Sequence, residues 1–169
     1  MNICVAGWYY HEPFIARMVN SKHTAGIVAH RALSGKELHG LDFDLIPNFG
    51  LEFGCYDWYL KNKWKDGPVL FMHDDNEITD AALDAIAQMT VDQAFLFSSE
   101  AEAKANGQAH GRAIFCSEKF LKRLKSDGGF WYDEGMTPTG EIPATNATEP
   151  DWHNSAIQVF RAYLESLDL

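Results

Sequence analysis

The sequence contains few basic residues and no long apolar run. Lys and Arg together number 14, against 24 Asp and Glu, and the formal net charge is −10. Non-specific nucleic-acid binding needs a broad basic face, so this class of function is not expected. A membrane-spanning helix needs a run of about 18 or more apolar residues. None occurs in the sequence, so we expect no membrane span.

Cysteine is also scarce. Cys4, Cys55 and Cys116 are widely spaced and form no CxxC pair. This pattern argues against a disulfide framework and against a structural zinc site. We therefore expect three small buried thiols. The first residues lack the basic start of a secretory signal, which favours a soluble cytoplasmic protein.

Hydrophobic residues make up 46% of the chain and aromatic residues 13%. This content is sufficient for one compact domain over residues 1–169. Short apolar runs alternate with helical patterns over residues 1–90, which predicts a single-domain, Rossmann-like α/β fold with a mostly parallel sheet flanked by helices.

Turn residues and caps divide the chain into predicted elements. We predict strands at residues 3–7, 25–30, 43–47, 69–72, 94–97 and 113–116. We predict helices at residues 12–20 and 52–64, after the caps Thr79 and Ser117, and at 154–167. The region of about 130–153 is rich in Pro and Gly and has the length of a binding loop or lid.

The most informative segment reads PVLFMHDDNEI and spans residues 68–78. Its apolar run suits a buried strand, and ligands collect at the carboxyl ends of such strands. Two adjacent carboxylates there suit Mg²⁺ or Mn²⁺. We predict that Asp75, with His73, contacts a metal, and that Asp74 contacts ribose or sugar hydroxyls, or the metal through water. The alternative is a solvated acid pair before a helix.

The end of the first predicted strand is a second candidate site. Gly7, Trp8 and Tyr9 lie where a nucleotide would bind at this edge, and an aromatic ring could stack on the base. Core packing is the alternative for both aromatic residues. Arg31 follows the second strand and is a candidate to contact a phosphate or the base, because its planar guanidinium pairs well with oxygen groups.

A longer pattern joins these segments. Asn48, Gly50, Glu52 and Gly54 form an Asn-x-Gly-x-Glu-x-Gly series one helix before PVLFMHDD, and Gly-Phe and Asp-Glu pairs occur near residue 130. The pattern resembles the nucleotide-sugar domain of GT-A fold glycosyltransferases, as a small member of that group. The resemblance implies a nucleoside diphosphate sugar as donor, Mn²⁺ or Mg²⁺ as cofactor, and a glycan or small-molecule acceptor hydroxyl.

The resemblance also implies roles for individual residues. Asn48, Gly50 and Glu52 would shape the nucleotide-sugar pocket, although Glu52 also suits a helix N-terminus. Asp133 and Glu134 are both candidates for the general base of an inverting transfer, with no choice between them. Neither need be a base if the enzyme retains configuration.

A late metal ligand is the last role that the resemblance implies. It falls on His153, since neutral imidazole can bind Mn²⁺. A bacterial cell or a phage-infected host cell would be the setting of such an enzyme.

Other functions remain open at this stage. A phage-type enzyme that glycosylates hydroxymethylated cytosine in DNA would need a local basic groove, for example at Lys61, Lys63 and Lys65. In a non-catalytic carbohydrate- or nucleotide-binding module, Trp8, Trp58 and Trp131 would recognise carbohydrate or a protein partner. A metal-dependent phosphohydrolase would use the acid pair without an acceptor. The sequence leaves the oligomeric state open.

Overall fold

The computed structural model describes residues 1–33, 37–47, 50–107, 110–130 and 160–167. Over these ranges the chain is an α/β fold in which six strands form one mixed sheet flanked by helices. The α/β prediction is therefore confirmed. Most of the predicted loop at 130–153, and the first part of the predicted last helix, lie outside the described residues.

The elements agree with most of the predicted bounds to within two residues. The strands are β1 (Asn2–Gly7), β2 (Thr24–Ala29), β3 (Asp42–Leu45), β4 (Val69–His73), β5 (Gln93–Phe95) and β6 (Ala113–Cys116). The helices are α1 (Glu12–Asn20), α2 (Leu51–Asn62), α3 (Asp80–Ala87), α4 (Glu100–Ala105) and α5 (Glu118–Ser126). Residues 160–166 form a further helix, α6.

The strand order in the sheet is β3-β2-β1-β4-β6-β5. The pairs β1–β2, β1–β4 and β2–β3 are parallel, as predicted. The sheet is mixed, because β6 runs antiparallel to both β4 and β5, while the other five strands share one direction. Between β5 and β6 the described residues form one short helix, α4, and the chain re-enters the sheet at the edge where β5 ends. As a result, the start of β6 lies at the carboxyl edge of β4.

Both faces of the sheet are covered. Ile3 and Val5 of β1 pack in one apolar cluster with residues of α1 and α3. Cys4 and Ala6 pack in a second cluster with residues of α2, α5 and α6. Burial on both faces explains why these strands read as continuous apolar runs. The three cysteines are buried and free, as predicted.

Hydroxyl caps define several helix starts. The Thr79 hydroxyl accepts a hydrogen bond from the Ala82 amide, and the Ser117 hydroxyl accepts one from the Phe120 amide. Both caps were predicted. Helix α4 was not predicted, because it has six residues and buries no side chain that would give an apolar period.

Helix lengths and hydropathy also bear on the membrane question. Among the described residues, no helix combines the length and apolar character needed to cross a lipid bilayer.

Candidate functional site

Asp74 anchors the loop between β1 and α1. The backbone amides of Trp8, Tyr9 and Tyr10 each donate a hydrogen bond of 2.8 Å to Asp74 Oδ2. Asp74 is 1% exposed. Three successive amides that converge on one anionic oxygen form a backbone nest, the arrangement by which loops commonly bind anions. The carboxylate at the end of β4 therefore fixes the conformation of the loop at the end of β1.

Tyr10 is held in an unusual backbone conformation by these contacts. Its φ of 53° lies in the left-handed region, which costs a non-glycine residue about 1–3 kcal/mol. The side chain is buried, and the Tyr10 hydroxyl donates to the carbonyl of Arg31. The loop after β1 is thus tied to the segments that follow both β2 and β4.

Gly7 ends β1 in a position where no side chain would fit. A Cβ there would lie 2.6 Å from Ile27 Cγ2 and 3.0 Å from the Tyr10 ring. Contacts this short show that Gly7 is required for close packing beneath the loop. Its predicted contact with a nucleotide stays a prediction.

The aromatic side chains of the loop are exposed. Trp8 is 39% exposed and Tyr9 47% exposed. The Arg31 guanidinium carbon lies 5.7 Å from the Trp8 ring centroid, within the range of a cation–π contact. The core-packing alternative is therefore wrong for Trp8 and Tyr9. We call Trp8, Tyr9 and Arg31 the ring surface.

The end of β4 carries a charged pair beside this surface. His73 Nδ1 lies 3.1 Å from Asp75 Oδ1 and 3.4 Å from Asp74 Oδ1. Burial opposes a charge on the imidazole, but the neighbouring Asp75 outweighs it and the pKa of His73 is raised. The same contact, with help from Arg112 4.0 Å away, lowers the pKa of Asp75. Both shifts favour the ionised pair.

Three buried atoms at this point lack a hydrogen bond of good geometry: His73 Nδ1, Asp74 Oδ1 and Asp75 Oδ1. His73 Nδ1 and Asp75 Oδ1 face each other as an ion pair, so Asp74 Oδ1 is the atom that still requires an explanation, such as a water or an ion. In the described part of the chain, no group of three or more His, Cys, Asp or Glu is arranged to hold a metal ion. Mg²⁺ often binds through only one or two carboxylates, with substrate phosphates and water completing its shell. The two aspartate oxygens fit that mode.

The start of α2 brings a further carboxylate to this edge. Gly50, with φ of 75°, and Leu51, with φ of 50°, turn the chain sharply into the helix. Glu52 follows and is buried. It packs so tightly on Gly111 that a Cβ there would lie 2.1 Å from Glu52 Oε1. The hydroxyl of Tyr56 donates a 2.6 Å hydrogen bond to the Gly111 carbonyl, which secures the same contact.

His30 ties three elements together rather than facing the site. It was predicted as the last residue of a strand but lies just after β2. Its Nδ1 lies 3.1 Å from the Pro47 carbonyl and its Nε2 lies 2.6 Å from the Leu51 carbonyl. Burial lowers the pKa of His30.

The structure brings most of the predicted site residues to one edge of the sheet. These are Gly7, Trp8, Tyr9, Arg31, Gly50, Glu52, His73, Asp74 and Asp75. Asn48, Asp133, Glu134 and His153 lie outside the described residues. The predicted binding and metal roles of all these residues stay predictions.

Four residues of this edge were missed: Tyr10, His110, Gly111 and Arg112. Arg112 reaches Asp75 only because β6 runs antiparallel, and the amide of His73 donates 2.8 Å to the Arg112 carbonyl. His110 Nδ1 accepts the Arg112 amide at 2.9 Å. The sequence signal for this group was a Gly-Arg pair directly before a strand, which has meaning only once the strand's direction is known.

A separate cavity of about 380 Å³ lies at the opposite, amino edge. It is lined by Asn2, Thr24, Ala25, Gly26, Asp42, Tyr59, Lys63, Lys65 and Asp66. Lys63 and Lys65, which were named as candidates for a basic groove, lie there. The residues predicted for the nucleotide-sugar and metal sites, where the structure describes them, do not.

No family model, curated protein or solved structure matches the chain at a significant level. What the chain does must therefore follow from the chemistry of its own residues. The carboxyl edge is the candidate site. The buried acids Glu52 and Asp74 lie there with His73, whose pKa is raised, and with the exposed ring surface.

Proposed function

We propose that the protein is a metal-dependent glycosyltransferase that moves a sugar from a nucleoside diphosphate sugar to an acceptor hydroxyl. One observation carries the proposal: a rigidly held ring surface stands beside a strand end with two acids and unsatisfied oxygen atoms. Strands β1 and β4 are adjacent and parallel, so their carboxyl ends are about 5 Å apart. A single nucleotide can therefore reach both.

The ring surface would bind the base. Trp8 and Tyr9 present exposed rings, and stacking of a base on such a ring contributes about 1–3 kcal/mol. Arg31, which already lies over the Trp8 ring, would contact the base edge or a phosphate. This arrangement favours a planar ligand with negative charge attached.

The strand end would bind the diphosphate. Asp75 and the free oxygen of Asp74 would hold Mg²⁺ or Mn²⁺, and Arg112 lies close enough to add positive charge. The bound ion supplies Lewis-acid stabilisation of the diphosphate as it leaves the sugar. Asp75 is the residue on which the proposal depends most directly.

The residues that would act on the acceptor, or complete the site, lie outside the described ranges. Asp133 and Glu134 remain the candidates for the general base, His153 for a further metal ligand, and Asn48 for the pocket. A carboxylate that takes the acceptor proton contributes roughly 10²–10⁴-fold to the rate.

Thermal unfolding with a panel of donors tests the proposal. UDP-, GDP-, CMP- and dTDP-sugars are added with and without Mn²⁺, and the midpoint is recorded. A donor at 100 times its Kd stabilises the native state by about 2.7 kcal/mol, so the true donor should raise the midpoint when Mn²⁺ is present. A panel without any shift contradicts the proposal.

Transfer is then measured with the responsive donor and a range of acceptors. Asp75→Asn should abolish release of the nucleoside diphosphate while the protein stays folded. Release at the parent rate would contradict the role of Asp75. Binding of the donor without release in the parent protein would instead support a nucleotide-binding module.

A further inference from the structure

One carboxylate oxygen of Asp74, Oδ2, is fully engaged by the protein backbone. That oxygen accepts three backbone amides, from Trp8, Tyr9 and Tyr10, all at 2.8 Å. The side chain has almost no contact with solvent. A bound sugar could not contact this oxygen without displacing those amides. The other oxygen faces His73 Nδ1 at 3.4 Å.

Three successive amides in a loop at the end of a strand are the usual means of holding an anion such as phosphate. Here the anion is the carboxylate of Asp74, which directly follows the neighbouring strand β4. The left-handed conformation of Tyr10 belongs to the same arrangement, since it turns the Tyr10 amide toward the carboxylate.

We propose that Asp74 is a positioning residue that acts as a built-in anion: it fills the amide nest after β1 and presets Trp8 and Tyr9 for ligand binding. This statement about the ligand rests on the proposed function. It has a consequence for the donor, because the loop amides are occupied. The diphosphate would then be held by the side chains of Arg31 and Arg112 and by the metal ion that the acids at the strand end would bind, and not by the loop backbone.

Amide hydrogen exchange of residues 8–10 tests the positioning role without any nucleotide. In the parent protein these amides should exchange slowly. In Asp74→Ala they lose a buried, charge-assisted partner, and we expect exchange to accelerate about 10- to 100-fold. Exchange of the β1 amides 3–5 in the same protein reports whether the sheet is intact. Asp74→Asn keeps the side-chain volume and one oxygen acceptor, so it serves if the alanine variant does not fold.

Chemical rescue separates a positioning role from a merely structural one. Asp74→Ala leaves three convergent donors beside a space of carboxylate size, which formate can enter. Formate should restore slow exchange of residues 8–10 in this variant and have no effect on the parent protein. Asp75→Ala is the matched control, because it removes a neighbouring carboxylate that makes no contact with the loop amides. Its loop should stay protected with and without formate.

Two results would overturn the proposal: unchanged exchange of residues 8–10 in a folded Asp74 variant, or failure of formate to restore protection in the alanine variant. A donor titration follows separately, and Asp74→Asn should weaken donor binding about tenfold or more with the Asp75 acid intact. If no nucleotide binds the parent protein, the proposed function fails, while the exchange result still decides whether Asp74 positions the loop.

Discussion

The two edges of the sheet both carry acidic residues, but these residues make different kinds of contact. At the amino edge, Lys63 lies 2.8 Å from Asp42 and 3.0 Å from Asp44 at the wall of the cavity. The Asp42 side chain there is 65% exposed. At the carboxyl edge, Asp74 is buried and pairs with backbone amides. Both edges carry acids, and at the carboxyl edge one of them, Asp74, accepts hydrogen bonds from a loop that contains the left-handed residue Tyr10.

This contrast shows that the presence of acidic residues at an edge does not indicate how firmly they hold the backbone there. The exposed charges of the amino edge are solvated with or without their partners, so their pairing contributes little. A buried carboxylate that loses its partners, or amides that lose the carboxylate, cost far more. Contacts at the carboxyl edge should therefore contribute more to the free energy of unfolding than those at the amino edge. Substitutions at the two edges should lower it by clearly different amounts.

The largest effect is expected for Asp74→Ala. The substitution leaves three backbone amides without their acceptor, and each donor that stays buried without a partner costs about 1–3 kcal/mol. Urea unfolding followed by circular dichroism measures the loss. A loss below 1 kcal/mol would show that the loop finds other partners and that the contrast between the edges is wrong.

Two glycine substitutions compare the edges directly. Gly111→Ala would place a Cβ 2.1 Å from Glu52 Oε1, and overpacking of this kind costs about 1–3 kcal/mol. Gly26→Ala at the amino edge would meet only ordinary contacts, at 3.6 Å or more from Asp42. We expect a clear fall in the free energy of unfolding for the first variant and little change for the second. Equal effects would contradict the tight packing of Glu52.

Acid should weaken the carboxyl edge through His110. Burial lowers the pKa of His110, and its Nδ1 already accepts the Arg112 amide, so the folded protein keeps the ring neutral. The unfolded chain binds the proton near the ordinary pKa of about 6.5, so stability is full above this pH and falls as the pH drops below it. The raised pKa of His73 acts in the opposite direction, because it stabilises the fold as the pH falls. The effect of His110 is therefore measured as the difference between the parent and a His110 variant in unfolding curves from pH 8 to pH 5.

The matched variant for this effect is His110→Gln. Below pH 6.5, the free energy of unfolding of this variant should fall less steeply with decreasing pH than that of the parent. The pH dependence that remains in this variant reflects His30, whose pKa is lowered by burial, and His73, whose pKa is raised, and the two act in opposite directions. If the pH dependence of the free energy of unfolding is unchanged, protonation of His110 does not destabilise the fold.

The smallest effect is expected for Lys63→Met. It removes both contacts with Asp42 and Asp44, and partly exposed pairs contribute about 0–1 kcal/mol. The loss should shrink further at high salt, because salt screens exposed charges. A loss above 2 kcal/mol in urea would mean that the amino edge is organised as strongly as the carboxyl edge.

The sequence predicted well those features that depend on neighbours along the chain. The apolar run of β4, its acidic end and the caps Thr79 and Ser117 are local patterns with direct physical meaning. They located the edge at which the candidate site lies. The predicted bounds of α1 agree with the structure for the same reason, since Pro13 and the apolar period define that helix.

The contacts that organise the site depend on residues far apart in sequence. Asp74 lies 64 to 66 residues from the amides that it accepts, and Tyr56 lies 55 residues from Gly111. Nothing local distinguishes an acid that contacts backbone from one that contacts a ligand. The direction of β6 was equally hidden, because a four-residue apolar run reads the same in both directions. Arg112 could therefore not be assigned to the site.

The grip of Asp74 on main-chain atoms alone has a consequence for substitutions in the loop. Because its hydrogen bonds do not involve the side chains of Trp8 and Tyr9, those two positions are free to change without refolding of the loop. Single substitutions at these positions should therefore change the exposed surface of the loop while Asp74 keeps its backbone in place.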